Sequence, residues 1–350
     1  MYSFRVCQCG EPLQRMEAPT PRPTGTEVLL RVKAAGVCHT DLHLWDGYYD
    51  LGGGRKLMMS ERGVKLPLTM GHENVGEVVA VGPDARDVSV GQTVLVYPWT
   101  GCGHCLVCER GEENLCLKPR SLGVFTHGGY ADHMVVPHPR YLFDIGSLEP
   151  ERAAPLACSG ITAFSALKKV ADVIKTQPVV MIGAGGVGLT CLAIHKAMGG
   201  KAAVFVDVDD QKCAAAIAAG ATAAINARAP DASRLLSEAV GGPTWAAIDF
   251  VGSSSTVEFA AKSLIKGGKL VVVGLYGGDI TLPTLHFPMR AITIQGSYVG
   301  SLSDTRELLE IAKRGDLPTV PITTRPLTEV NAALNDLKSG KVIGRTVLTP

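Results

Sequence analysis

A chain of 350 residues has the length for about two domains with buried cores. With 46% apolar and 19% charged residues it reads as a folded globular protein, which excludes an intrinsically disordered one. The formal net charge of +1 gives no electrostatic ground for expecting nucleic acid or an anionic membrane as a partner.

The N-terminal stretch MYSFRVCQCGEPLQRME has no apolar core of signal-peptide length. Residues 26–37, TEVLLRVKAAGV, alternate and are β-branched, so they predict a strand. Residues 75–96 predict two or three strands joined by turns at Gly82-Pro83 and Gly91. The first 150 residues therefore read as a mostly β, barrel-like domain.

Near residue 155 the character changes. Residues 151–174, ERAAPLACSGITAFSALKKVADVI, predict helix. Apolar runs then alternate with alanine-rich helical segments, the pattern of a parallel sheet with helical crossovers. Residues 178–200 are apolar enough to raise a transmembrane question, but four glycines interrupt them after a short β-rich run. A buried strand, tight turn and helix explain this stretch, and a soluble cytoplasmic protein is expected. A short helix near 304–314 precedes a β-rich tail, GKVIGRTVLTP, which reads as a return to the first domain.

GAGGVG (183–188) fits G-x-G-x-x-G between a strand and a helix, the context in which the motif binds a dinucleotide. Gly183 suits the tight turn, Gly185 the approach to a pyrophosphate and Gly188 close helix–strand packing, with Gly186 and Val187 at the positive helix end. Asp207 closes the next strand, where an acid binds ribose hydroxyls and repels a 2′-phosphate. This favours NAD, although the nearby Lys212 leaves NADP open. A glycine-rich turn in an unrelated α/β domain is the bland alternative.

Ten cysteines in a chain of this length point to thiols or metal ligands rather than a disulfide scaffold. Cys7, Cys9, Cys191 and Cys213 read as ordinary thiols. Cys102, Cys105, Cys108 and Cys116 lie within 15 residues and can close a tetrahedron around a structural zinc. An iron–sulfur cluster, a disulfide pair and a zinc ribbon are the alternatives, but the acidic lobe offers no aromatic–basic face for nucleic acid.

The flanks GVCHTDLH (36–43), GHE (71–73) and LACSGIT (156–162), with the four-cysteine lobe and GAGGVG, resemble the zinc-dependent medium-chain alcohol dehydrogenases over essentially the whole chain. The resemblance implies an α/β protein: a GroES-like β-rich catalytic domain (1–155, with a zinc lobe at about 98–118), a Rossmann cofactor domain (156–298) and a return to the first domain (299–350). It places a catalytic zinc on Cys38, His72 and Cys158, with Asp41 orienting the histidine and Glu73 beside the metal; this ligand set is a known one for alcohol dehydrogenase. It also implies polarisation of an alcohol by zinc, hydride transfer to the nicotinamide, and a proton relay through Thr40 and His43. By the same resemblance His39 and Arg345 reach the pyrophosphate and Thr162 packs on the nicotinamide.

Substrate identity is far less determined. Trp45, Tyr48, Tyr97 and Trp99 are candidate pocket walls. The expected substrate is a medium-sized or cyclic secondary alcohol or its ketone, with a primary aliphatic or aromatic alcohol as the alternative. A zinc-free quinone-reductase-like enzyme and a non-enzymatic zinc module are more distant readings. Residues 291–300 look like an edge strand that continues a sheet across a two-fold axis, so a tetramer, or else a dimer, is expected. The 33 residues between Cys38 and His72 make this connection longer than in similar enzymes. Its segment 47–70 is expected to narrow the cleft entrance, with Arg55, Lys56, Glu61 and Arg62 facing solvent or another subunit.

Overall fold

The computed structural model describes all 350 residues. The long strand Val28–Val37 is the spine of the first region. It pairs antiparallel with Glu73–Val81 on one side and with Arg345–Thr349 on the other. Thr93–Val96, Leu142–Asp144, Ile322–Pro326 and His133–Val136 complete a seven-stranded sheet. A three-stranded sheet and a small hairpin flank it. The tail thus pairs with the domain in which the chain began.

The register of this sheet positions the site. Gly36 is opposite Glu73, and Val37 is opposite Thr346. Cys38, His72 and Arg345 therefore meet at one end of three adjacent strands, although they are distant in sequence. Gly36 must be glycine, because a Cβ there would lie 2.0 Å from the Glu73 carboxylate.

Between these pieces, six parallel strands form a second sheet in the order Ala223–Asn226, Ala202–Asp207, Pro178–Ile182, Thr244–Asp249, Leu264–Val272, Thr293–Gly296. The chain runs outward from Pro178–Ile182 in one direction and then restarts in the other. A ligand crevice is expected at this switch, beyond the strands' carboxyl ends. The dinucleotide loop sits there. One apolar core runs from the first sheet to beneath that loop, and a second fills the opposite face of the parallel sheet.

Two stretches differ from their sequence-based expectation. The helix expected over 151–174 is broken into Pro150–Ala153, a 3₁₀ turn Ala154–Ala157 and Ser159–Lys168. Cys158 leaves the helical region at φ −128° and ψ −70°, three residues after Pro155, which a helix interior does not accommodate. The 47–70 segment contains a hairpin, Tyr48–Asp50 with Lys56–Met58, turned by Gly52, Gly53 and Gly54 at positive φ.

Candidate active site

Cys38 caps the helix His39–Asp46, and its backbone N–H donates to Asp41 Oδ2 at 3.0 Å. Tyr130 donates to the same oxygen at 2.8 Å. These two bonds fix the buried Asp41 carboxylate so that Oδ1 stands 3.3 Å from His72 Nδ1. The imidazole then presents Nε2 to the two thiols, and that buried nitrogen has no hydrogen-bond partner.

Cys38 Sγ and Cys158 Sγ are 4.0 Å apart, and the three ligand atoms lie within 4.8 Å of one another. Two sulfurs on a tetrahedral zinc, with bonds of about 2.3 Å, sit about 3.8 Å apart. The cluster therefore fits zinc with only small adjustment. The Cys158 thiol holds Cys38 well below the ordinary thiol range, which suits it to bind a cation. Only three residues contribute, and Cys38 and Cys158 both border the large cleft between the sheets. A fourth position can thus face a ligand in that cleft.

Glu73 completes this end of the site. It is fully buried, accepts from the Ser159 backbone N–H at 3.2 Å and pairs with Arg345. Burial pushes its carboxyl up to about 7 even though Arg345 opposes the shift.

The four lobe cysteines also bring their sulfurs within 4.8 Å of one another, and none of the ten cysteines is in a disulfide. Backbone N–H groups of Cys102 and Lys118 donate to Cys116 Sγ at 3.1 and 3.3 Å, contacts that stabilise a metal-bound thiolate. Beneath the lobe, Glu113 accepts from the Gly101 N–H and the Tyr141 hydroxyl and pairs with Arg140. Four protein ligands close such a site to substrate, as a structural zinc requires.

The dinucleotide loop follows the carboxyl end of Pro178–Ile182. Gly183 has φ +94°, and a Cβ on Gly188 would lie 2.0 Å from the Gly183 carbonyl oxygen. A Cβ on Gly185 would meet nothing, because that face opens onto the cleft. Asp207 accepts from the Ala184 N–H at 2.7 Å and borders the cleft with Lys212. Thr162 Oγ1 and Ser297 Oγ are buried in the same cleft without partners. A cradle of exposed N–H groups, a strand-end acid and two free hydroxyls fit a nicotinamide dinucleotide.

Thr40 and His43 lie on one face of the helix His39–Asp46 and border the cleft with His39. Burial, then the charge of His39, lowers the His43 pKa. Its ring stands 4.5 Å from that of Tyr49.

Residues 24–146 match the model of the alcohol dehydrogenase GroES-like domain, and residues 186–314 match that of the zinc-binding dehydrogenases. The chain is 38% identical to an NAD-dependent alcohol dehydrogenase of Sulfurisphaera tokodaii, with the whole of both chains covered. It is 33% identical to a D-arabinose 1-dehydrogenase (NADP(+)) of Saccharolobus solfataricus, covering 97% of this chain and 95% of that one. The crystal structure of an alcohol dehydrogenase from Aeropyrum pernix superposes with a TM-score of 0.90 at 32% identity over all of both chains. The chain belongs to the zinc-binding alcohol dehydrogenase family. It is an oxidoreductase with the zinc and nicotinamide chemistry of that family.

The substrate walls of this dehydrogenase differ from those expected. Trp99 does border the cleft, 5.4 Å from the His72 ring, with Nε1 donating to the Ala157 carbonyl. Tyr97 lies wholly inside the apolar core and donates to the Gly300 carbonyl at 2.9 Å. Trp45 points to the far side of its helix, where Nε1 donates to the Glu11 carbonyl. Tyr48 turns outward beneath the Lys56 ammonium, 3.7 Å from its ring. Besides Trp99, the aromatics Tyr49, Phe250, Tyr276 and Tyr298 border the cleft. Strand alternation next to Tyr48 is a signal that finds Tyr49. No local pattern marks Tyr298, which reaches the cleft from the end of the parallel sheet.

Proposed function

We propose that this dehydrogenase reversibly oxidises a medium-sized or cyclic secondary alcohol with NAD, as a cytoplasmic homo-oligomer. The observation that carries the reading is the buried Cys38–His72–Cys158 cluster, which borders the same cleft as the glycine loop. Residues 1–155 and 299–350 act as the catalytic domain, and residues 156–298 carry the cofactor.

Bound zinc supplies Lewis-acid polarisation at the substrate oxygen, and bound nicotinamide supplies the hydride acceptor. The protein's own groups do the rest. Cys38, His72 and Cys158 hold the metal while Asp41 sets the imidazole tautomer. Thr40 takes the hydroxyl proton, and His43, on the same helix face, delivers it to water. Gly183–Gly188 and Arg345 hold the pyrophosphate, with His39 beside them. Asp207 binds the ribose and disfavours NADP, and Thr162 packs against the nicotinamide.

The outer strand Thr293–Gly296 leaves one edge of the parallel sheet free, beside exposed Leu285, Phe287 and Met289. Pairing of two such edges supports a dimer, and a tetramer is the favoured assembly of two dimers.

A kinetic panel of secondary and primary alcohols with NAD and NADP, combined with a metal count per chain, tests this reading. Two zinc ions, NAD preference and loss of one zinc with all turnover in Cys38→Ser are expected. Turnover retained in Cys38→Ser sinks the metal assignment.

A further inference from the structure

Arg62 belongs to the long connection between Cys38 and His72, and its expected place was the solvent or a subunit contact. The structure instead folds it back, half-buried, onto the aromatic wall of the cleft. Its guanidinium carbon is 5.2 Å from the Tyr49 ring and 5.6 Å from the Phe125 ring. Its charge also opposes the upward push of burial on the Tyr49 and Tyr298 phenols.

These two tyrosines lead back to the chemistry. Tyr49 stands against His43, and Tyr298 is 5.8 Å from Trp99, whose ring is tilted against that of His72. One aromatic lining therefore runs from the metal cluster to Arg62.

Neighbouring acids are engaged elsewhere. Glu61 accepts from the Met58 N–H, Asp50 from the Gly52 N–H, and Asp279 faces Arg55 at 3.9 Å. Arg62 itself has no carboxylate within ion-pair distance. Arg62 lies just behind the Tyr49 wall, and the cations that border the cleft itself are on the cofactor side: Lys212 beside Asp207, and Arg345 paired to Glu73. An arginine serving only to staple the hairpin across the cleft would pair with an acid there, as Arg55 does with Asp279.

We propose that Arg62, with the Tyr49 and Tyr298 hydroxyls, forms an anion-accepting subsite at the far end of the substrate cleft, so that preferred alcohols carry a carboxylate remote from the carbinol carbon. The chemistry is suited to it. A guanidinium offers paired donors in the geometry of a carboxylate, and two phenols add donors. The proposal rests on the reading of this cleft as an alcohol dehydrogenase site and names the substrate class within it.

The test uses the zinc-loaded enzyme with NAD and two probes of similar shape, 4-(1-hydroxyethyl)benzoate and its methyl ester. Wild type is expected to favour the acid by about tenfold or more in kcat/KM, the scale of a charge-assisted hydrogen bond. Arg62→Gln should lose that preference through KM for the acid and stay within about threefold on the ester, which also reports folding. Arg62→Lys should retain part of the preference. Equal kcat/KM for the two probes in wild type, or equal losses on both in Arg62→Gln, overturns the subsite. If neither probe reacts while simple secondary alcohols do, the subsite falls and the dehydrogenase reading stands. If a zinc- and NAD-loaded enzyme oxidises no alcohol, both fall.

Discussion

Arg345 on the final strand donates to Glu73, the residue after the metal-site histidine, across 272 positions of sequence. Both side chains are buried, and the same arginine packs against Gly186 of the dinucleotide loop. One ion pair therefore ties the metal end of the cleft to the cofactor end. Removing one partner strands the other's charge in the interior. Arg345→Met is expected to cost about 3 kcal/mol or more, and Arg345→Met with Glu73→Gln clearly less. Denaturant unfolding of the two single variants and the double variant measures this. The arginine variants should also weaken NADH binding, read by fluorescence titration. An additive cycle would show that the pair is not a unit.

His43 carries the pH dependence of the proposed relay. A base that accepts a proton must be neutral, and burial lowers the pKa of His43 from its usual value. Its neutral form therefore persists further into acid than that of an exposed histidine. The acid limb of alcohol oxidation in wild type should fall correspondingly low. His43→Gln is expected to lower turnover by about ten- to a hundredfold, most at low pH, with recovery as buffer base is added. An unchanged pH–rate profile in the variant would remove His43 from the relay.

The metal ligands could be read from sequence because each stands in a distinctive flank, and the strand–turn–helix context of GAGGVG marks the parallel sheet locally. The substrate wall had no such encoding. Tyr48 and Tyr49 are adjacent and chemically alike, and only the direction of the strand pleat separates the inward one from the outward one. Tyr97 and Trp99 lie beyond the end of the strand Thr93–Val96, on either side of Pro98, where no pleat fixes the direction of either. Tyr298 reaches the cleft, and Arg62 the back of its Tyr49 wall, through tertiary placement, which no periodicity records. The break at Cys158 did carry a local signal, since Pro155 and Gly160 flank it within a stretch otherwise rich in helix formers, and the backbone departs from the helix where the thiol meets Cys38 and His72.

The hairpin tip crosses to the cofactor domain with very little clearance. A Cβ on Gly52 would lie 2.7 Å from the Asp279 backbone nitrogen, and one on Gly277 would lie 2.4 Å from the Asp50 carbonyl oxygen. Two backbones therefore touch across the entrance of the cleft. Replacing residues 51–56 by Gly-Gly should open that entrance and shift relative kcat/KM toward bulkier alcohols by about tenfold, with zinc content unchanged. Equal losses over small and bulky substrates would instead assign the hairpin a purely structural role.

His195 sets a separate, measurable pH limit on stability. Its ring is 1% exposed in the helix Gly186–Ala197, neither nitrogen has a partner, and a Cβ on Gly200 would lie 2.2 Å from it. Burial lowers its pKa to about 4. Above the ordinary value of about 6.5, both folded and unfolded chains carry the neutral ring, and no stability is lost. As the pH falls below that value, the unfolded chain takes a proton that the folded chain refuses, until the folded pKa is reached. Over that window the site removes about 3 kcal/mol of stability. His195→Leu keeps an apolar side chain against Gly200 and abolishes this proton uptake. At pH 7.5 the variant should match wild type within about 1 kcal/mol, and at pH 5 it should be more stable by about 2 kcal/mol. Urea midpoints of the two proteins at both pH values measure the difference. Identical pH slopes would mean that the folded ring takes up its proton as readily as the unfolded one.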